Sequence, residues 1–358
     1  MSKVDGHLFP YHWRLSDGFP SKGICAHGKK VFGTFICGGG STMGYKLAGY
    51  DHLGGVEIDP RTASVYEENH HPKLLFVEDI RAFNARKSLP EELFDLDILD
   101  GSPPCSTFSM AGHREKAWGK EKKFDEGQKK QRLDDLVFEY CETIDRLRPK
   151  VCLLENVSGL VKGNAKAYSR KIFEKISKSG YRVQAFLLNA SRMGVPQVRE
   201  RVFFIGLRND LAKNLPRLTL DFRERPINAG EFVRLDEAVE ISGNKRVRSV
   251  LGNMKSGDRS LGDITDRTEA KKSLFTWRIV QRNEPFPTIA ATQSLRMILY
   301  ENKRFACIRD ILDASSFPQD YKCNSEEKLG FLCGMSVPPV MTAQIAWQIY
   351  LQWLSKIS

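Results

Sequence analysis

The stretch Val31-Phe32-Gly33-Thr34-Phe35-Ile36-Cys37-Gly38-Gly39-Gly40 decides the architecture. A short apolar, β-prone run breaks off in three consecutive glycines, and a helical pattern over Thr42–Ala48 follows at once. A strand that turns through glycine into a helix is how a βαβ unit begins. Working outward, the alternation repeats. Strands are predicted at Val31–Cys37, Gly55–Asp59, Leu74–Val77, Asp95–Leu99, Val151–Asn156, Tyr181–Asn189 and Arg201–Leu207. Helices are predicted at Thr42–Ala48, Arg61–Asn69, Gln131–Arg148 and Ala165–Ser179. The rhythm predicts an α/β fold: a doubly wound, mostly parallel sheet with helices on both faces. In such sheets ligands bind outside the carboxyl ends of the strands.

Composition narrows the class. The chain has 358 residues, 41% of them hydrophobic and 28% charged, which excludes a mostly disordered protein. Lys plus Arg exceeds Asp plus Glu by 55 to 44, a formal net charge of +11. That excess suits a polyanionic partner, nucleic acid first among them, and equally a basic soluble protein. No apolar run approaches the ~20 residues of a membrane span. Residues Met1 to Pro20 are mixed and polar, unlike a signal peptide, so the expected location is the cytoplasm, away from membranes. None of the eight cysteines forms a C-x-x-C pair, so free thiols and no metal site are expected.

Four segments are expected: an N-terminal extension at 1–30, a ligand-binding and catalytic domain at 31–209, a loop-rich basic region at 210–280, and a segment at 281–358 that returns to the first domain through a C-terminal helix. Residues between 211 and 280 show weak periodicity and many Arg, Lys, Asp, Gly and Asn.

The chemistry-bearing residues gather at predicted strand ends. The first strand runs into the glycines, where backbone can approach a ligand and a helix start offers free N–H groups. The spacing is not G-x-G-x-x-G, so a dinucleotide fingerprint fails. Glu57 ends the second strand, where an acid accepts from ribose hydroxyls. Asp79 follows the third, in reach of an adenine amino group. Together they suggest an adenosine-containing cofactor, although each alone reads as well as a turn glycine or a helix-capping acid. The fourth strand runs into Asp100-Gly101-Ser102-Pro103-Pro104-Cys105, two prolines stiffening the approach to a thiol. A thiolate is a strong nucleophile near neutral pH, but a lone cysteine is more often an inert buried residue. Its company changes the balance: Glu155 at the next strand end, then Arg199 and Arg201 in Gln197-Val198-Arg199-Glu200-Arg201. A nucleophile, an acid and two guanidiniums suit an electrophile that gains negative charge on attack, such as a pyrimidine attacked at C6. An isolated arginine pair would read as a solvated basic face.

This ordered series resembles the cytosine-5 DNA methyltransferase family. Phe35 to Gly44 is similar to its first motif, Glu57-Ile58-Asp59 and Asp79-Ile80 to its second and third, and Ser102-Pro103-Pro104-Cys105 to its catalytic proline-cysteine motif. Glu155-Asn156-Val157, Gln197 to Arg201, Pro285-Phe286-Pro287-Thr288-Ile289, and Gly334 with Ser336-Val337-Pro338-Pro339 resemble later motifs in the family's order. The resemblance implies a Rossmann-like fold and S-adenosyl-L-methionine as cofactor, bound by Phe35, Gly39, Gly40, Glu57, Ile58, Asp79, Ile80, Leu136, Ser336 and Val337. It implies a catalytic group of Cys105, Glu155, Arg199 and Arg201 acting on a cytosine flipped out of double-stranded DNA. It places a target-recognition region at about 210–280, and a restriction endonuclease is the expected functional companion. The sequence departs from the pattern at Gly33 (usually Asp), Cys37 (usually Gly), Ile58 (commonly aromatic), Ser106 (usually Gln) and Met335 (usually Asn). These departures bear on cofactor contacts more than on reaction type.

Two other readings stay open at this point. One is methylation of transfer RNA cytosine; the other is a non-catalytic DNA-binding relative. The sequence indicates neither a recognition site nor an oligomeric state.

Overall fold

The computed structural model describes residues 7–104, 135–162, 165–241, 245–267 and 274–357. Two compact units divide the chain. Unit 1 joins Met1–Phe19, Asn189–Arg199 and Phe222–Thr342; unit 2 joins Pro20–Leu188, Glu200–Asp221 and Ala343–Ser358. Each unit is built from distant pieces of chain.

Unit 2 follows the predicted alternation: β1 (Lys30–Thr34), α1 (Gly40–Leu47), β2 (Asp51–Glu57), α2 (Pro60–His70), β3 (Leu74–Val77), α3 (Ile80–Ala85), β4 (Ile98–Gly101), α4 (Leu136–Leu147), β5 (Val151–Val157), α5 (Lys166–Lys178), β6 (Tyr181–Asn189) and β7 (Glu200–Arg208). The strands form one sheet in the order β3-β2-β1-β4-β5-β7-β6. The pairs β2–β3, β1–β2, β1–β4 and β4–β5 are parallel, and β7 runs antiparallel to β5. This is the expected Rossmann-like α/β architecture. β5 is buried almost throughout, as a strand covered on both faces must be, and its sequence VCLLENV is correspondingly apolar until its end. α4 buries Leu136, Val137, Tyr140, Cys141, Ile144 and Leu147, and α5 buries Tyr168, Ile172 and Ile176, each at helical spacing. These residues join Phe32, Leu53, Phe83, Leu99 and Leu154 in the core under the sheet.

Several element ends differ from the sequence reading, each for a local reason. β1 stops at Thr34 rather than Cys37, because Phe35 (φ 58°) and Cys37 (φ 46°) adopt left-handed conformations that end a strand. β2 begins earlier, at Asp51, and ends at Glu57, because Asp59 caps α2: its carboxylate accepts from Arg61 N at 3.1 Å and Thr62 Oγ1 at 2.9 Å. β4 covers Ile98–Gly101, later than expected. Asp97 spends its side chain on Lys30 N (2.8 Å) and Lys150 Nζ (3.0 Å) instead.

After α6 (Asn209–Ala212), unit 1 contains α7 (Lys245–Leu251), α8 (Leu261–Arg267), β8 (Arg278–Val280), β9 (Met297–Leu299), α9 (Ile308–Ala314) and α10 (Glu326–Met335). α11 (Pro339–Gln352) begins in this unit and continues into the other. The stretch the sequence presents as irregular has its own small core of Val247, Leu251, Leu261, Ile264, Ile279 and Ile298. Its helices are seven residues long, too short to build a clear period. Among the described residues, Glu326–Lys356 has a mean hydropathy window of 1.3, enough for a membrane span, but 89% of that window is buried. It is core, and its apolar length exceeds what the sequence reading recognised.

Candidate active site

The strand register brings the carboxyl ends of β1 to β5 to one edge: Thr34 pairs with both Val56 and Gly101, Glu57 with Val77, and Gly101 with Leu154. The glycine turn sits there. Gly39 has φ 70°, its N–H donates to Ile36 O at 2.9 Å, and its carbonyl accepts from Met43 N at 2.9 Å to open α1. A Cβ at Gly39 would stand 2.2 Å from His70 Nε2, so the turn needs glycine for space as well as conformation. His70, from the end of α2, is buried, hydrogen-bonds the Gly38 backbone, and is pushed down to about 3 by that burial. No sequence pattern marked it.

Glu57 latches onto this turn. Its Oε2 accepts from Cys37 N and its Oε1 from Asp59 N, each at 2.9 Å. Burial raises its pKa, and the backbone N–H donors work against that rise. The Ile58 backbone bonds the carboxylate as well, which leaves one of its roughly four acceptor sites for a hydroxyl. Asp79 caps α3: it accepts from Arg81 N at 2.8 Å, with the Arg81 guanidinium 3.2 Å away. Ile80 and Leu136 are buried in the core, and Phe35 packs partly buried against it. Gly40 is buried as the first residue of α1, and Ile58 is half-buried between Glu57 and the cap. A buried acid bonded to the turn, beside an apolar wall, fits an adenosine-bearing group.

At the neighbouring strand ends, Glu155 and Arg201 form an ion pair with Nε···Oε1 3.0 Å; their side chains are 11% and 15% exposed. The antiparallel register explains it. Val157 faces Arg201 and Glu155 faces Phe203, so acid and guanidinium are diagonal neighbours on one face. Burial lowers the Arg201 pKa, and Glu155 pulls it back up. Between them in sequence, Asn156 is buried and its Nδ2 donates to Pro103 O at 3.2 Å, while its Oδ1 accepts from Val157 N at 2.9 Å. The proline loop is thereby tied to β5 two residues before Cys105. Cys105 and Ser106 lie outside the described residues, and the seven other cysteines are free thiols.

The remaining expected site residues lie in unit 1. Arg199 is 2% exposed; its Nη1 donates to Ile289 O at 3.1 Å and its Nη2 to Gly334 O at 2.9 Å. Gln197 donates to Ala314 O at 3.1 Å and accepts from Ile289 N at 3.3 Å. These two long polar side chains knit the Pro285–Ile289 segment and the end of α10 together. Arg199 thus faces carbonyls, where it can support other elements without touching a substrate. Ser336 and Val337 are buried, and Ser336 Oγ is without a hydrogen-bond partner among the described residues.

Comparison with known proteins places this geometry in a family. The family model for C-5 cytosine-specific DNA methylases matches residues 30–351, and the chain belongs to that family. Its enzyme class is therefore DNA (cytosine-5) methyltransferase, and the family implies S-adenosylmethionine as the methyl donor. The chain is 24% identical over 347 residues to the Type II methyltransferase M1.HphI of Haemophilus parahaemolyticus, covering 87% of this chain and 84% of that protein. It is 32% identical over 204 residues to M.DdeI of Desulfomicrobium norvegicum, covering 56% of this chain and 45% of that one. Among solved structures, a candidate DNA modification methyltransferase encoded within an E. coli prophage superimposes with a TM-score of 0.64 at 18% identity, over 92% of this chain and all of that one. Spodoptera frugiperda DNMT2 does so with a TM-score of 0.58 at 16% identity, over 90% and 99%. At such identities the likeness is one of fold.

Proposed function

We propose that this chain methylates C5 of a cytosine flipped out of double-stranded DNA, through a transient bond between Cys105 and C6, as the modification enzyme of a bacterial or phage restriction-modification system acting in the cytoplasm. The observation that carries the reading is the Glu155–Arg201 pair beside the Asn156–Pro103 tie. It couples an acid and a guanidinium to the loop that leads toward the thiol of the proline-cysteine motif.

Extruding the base costs a few kcal/mol of unstacking. The Cys105 thiolate bonds to C6, and the C5–C6 π pair moves toward C5 while negative charge spreads toward O2 and N3. Glu155 holds the N3 and N4 edge and shares its proton with N3. Arg201, fixed by the Glu155 carboxylate, meets the charge at O2, and preorganised donors of this kind are worth most where water is excluded. When bound, S-adenosylmethionine would supply a methyl group to the electron-rich C5, its sulfur keeping the S–CH3 bond pair and leaving as a neutral thioether. Glu57 holds ribose hydroxyls, the turn of Gly39 and Gly40 admits the donor's chain, and Phe35, Ile58, Ile80 and Leu136 wall the adenine, with Asp79 at its amino edge. Ser336 and Val337 belong to the expected contacts through the family resemblance alone. Loss of the C5 proton to base then expels the thiolate.

The test is duplex DNA carrying 5-fluorocytosine at target sites, with targets first located by bisulfite sequencing of DNA from expressing cells. The wild-type protein should form a denaturation-resistant adduct with the DNA, and Cys105→Ala should form none. Wild-type turnover by Cys105→Ala, or methylation confined to transfer RNA, would overturn the reading.

A further inference from the structure

Beneath the site lies a second carboxyl that the reaction scheme does not use. Asp100 is 3% exposed on β4, five residues before Cys105. Tyr45 Oη donates to its Oδ1 at 3.1 Å, and the Ser41 side chain bonds it as well. Both partners belong to α1, four residues apart on one helix face, and α1 starts at the glycine turn. Asp100 therefore joins the helix that leaves the cofactor turn to the strand that leads toward the nucleophile.

The register adds a second relation. Asp100 pairs with Leu153 in the parallel β4–β5 ladder, so Glu155, two residues on, points to the same sheet face. Strand spacing and rise put the two Cα atoms about 8 Å apart. On its other side Asp100 pairs with Gly33, where a Cβ would meet Ile36 Cγ2 at 2.6 Å, so this neighbour carries no side chain of its own.

We propose that Asp100 is a positioning residue for methyl transfer, clasped by Ser41 and Tyr45 and acting through its charge on Glu155. This rests on the mechanism above, in which Glu155 must keep a proton for N3. Arg201 draws that proton off by favouring the carboxylate; a second buried negative charge opposes it. The groups facing Asp100 are Ser41 and Tyr45 from α1, Tyr66 from α2, Tyr140 from α4, Glu155 from β5, and His52 of β2 across the Tyr45 ring. His52 is held neutral by burial, and the tyrosines are held protonated, so Glu155 is the acid of this set that couples to Asp100, its charge raising the Asp100 carboxyl. Burial, with the Glu155 charge adding to it, pushes the Asp100 carboxyl up to about 7 against the Ser41 and Tyr45 bonds, so the coupled pair gives up its last proton across neutral pH.

The experiment is kcat against pH from 6 to 9 for the full-length wild-type, D100N and Y45F proteins on duplex DNA. Donor affinity is measured by calorimetry and adduct formation on 5-fluorocytosine DNA. Asp100→Asn preserves shape and hydrogen bonding but removes the charge. Its alkaline limb should move about one pH unit toward acid, with donor affinity unchanged. Tyr45→Phe removes one donor, keeps Asp100 neutral to higher pH, and should move the limb the same way by less. A D100N profile that superimposes on wild type while wild type forms the adduct overturns the proposal alone; where D100N does not fold, an unmoved Y45F profile does the same. Absence of the adduct in wild type overturns the mechanism and this proposal with it.

Discussion

Arg201 Nε stands 3.0 Å from Glu155 Oε1, across the antiparallel step where β7 reverses against β5. Neither group is free to solvent, so each satisfies the other while the substrate is absent. Removing one partner leaves a buried charge alone, which costs about 3–5 kcal/mol. Arg201→Met should therefore both destabilise the protein by that order, read from urea unfolding, and abolish turnover. Arg201→Lys should restore most of the stability and little of the rate, since a point charge replaces a planar fork.

Asn156→Ala cuts the tie to Pro103 O. The loss of one buried bond costs about 1 kcal/mol of stability. The rate should fall further, by about tenfold to a hundredfold, because misplacing a nucleophile by an ångström is enough for that. Donor affinity should be unchanged. A fall in donor affinity with kcat intact would contradict the assignment.

Cys37 adopts φ 46°, a conformation glycine occupies without strain. Cys37→Gly should raise stability by about 0.5–1 kcal/mol, seen as a higher Tm. It should preserve the Glu57 bond, which uses the backbone N–H.

Asp100 makes stability fall as pH rises. Its folded pKa, about 7, is raised above the ordinary aspartate value of 3.8. The contribution is therefore fully present below the unfolded pKa and is lost as pH rises through the folded one. Between pH 4 and pH 8 the wild type should lose up to about 4 kcal/mol relative to Asp100→Asn. Urea midpoints at pH 5 and pH 8 for the two proteins check the sign: the gap should widen in favour of D100N at the higher pH.

What the sequence made legible was whatever carries a period or a reactive side chain at a strand end. The alternation from Lys30 to Arg208 depends on apolar runs such as VCLLENV and on helix faces such as that of α4, and both are strong patterns. Glu155, Arg201 and Glu57 could be picked out because acids and arginines at the ends of buried strands need a reason to be there. Asp100 and His70 could not. They sit within strand or helix, their environment is made by residues from other elements, and neither the Tyr45 bond nor the contact with Gly39 leaves a local pattern. Asp79 shows the reverse limit: the acid is where it was expected, but its carboxylate also caps α3, a use the sequence cannot separate from ligand binding. Arg199 is similar, since only the structure reveals that its partners are carbonyls.

The alternation of pieces between the two units has a consequence for how the molecule comes into being. Tyr50 Oη donates to Ala346 O at 2.8 Å, Lys29 Nζ to Ile357 O at 3.0 Å, and Trp353 Nε1 to Pro216 O at 2.9 Å, so unit 2 is closed by residues 343–358. Folding of the sheet domain therefore joins pieces far apart in sequence: its strands are sealed only when residues 343–358 have come back to them.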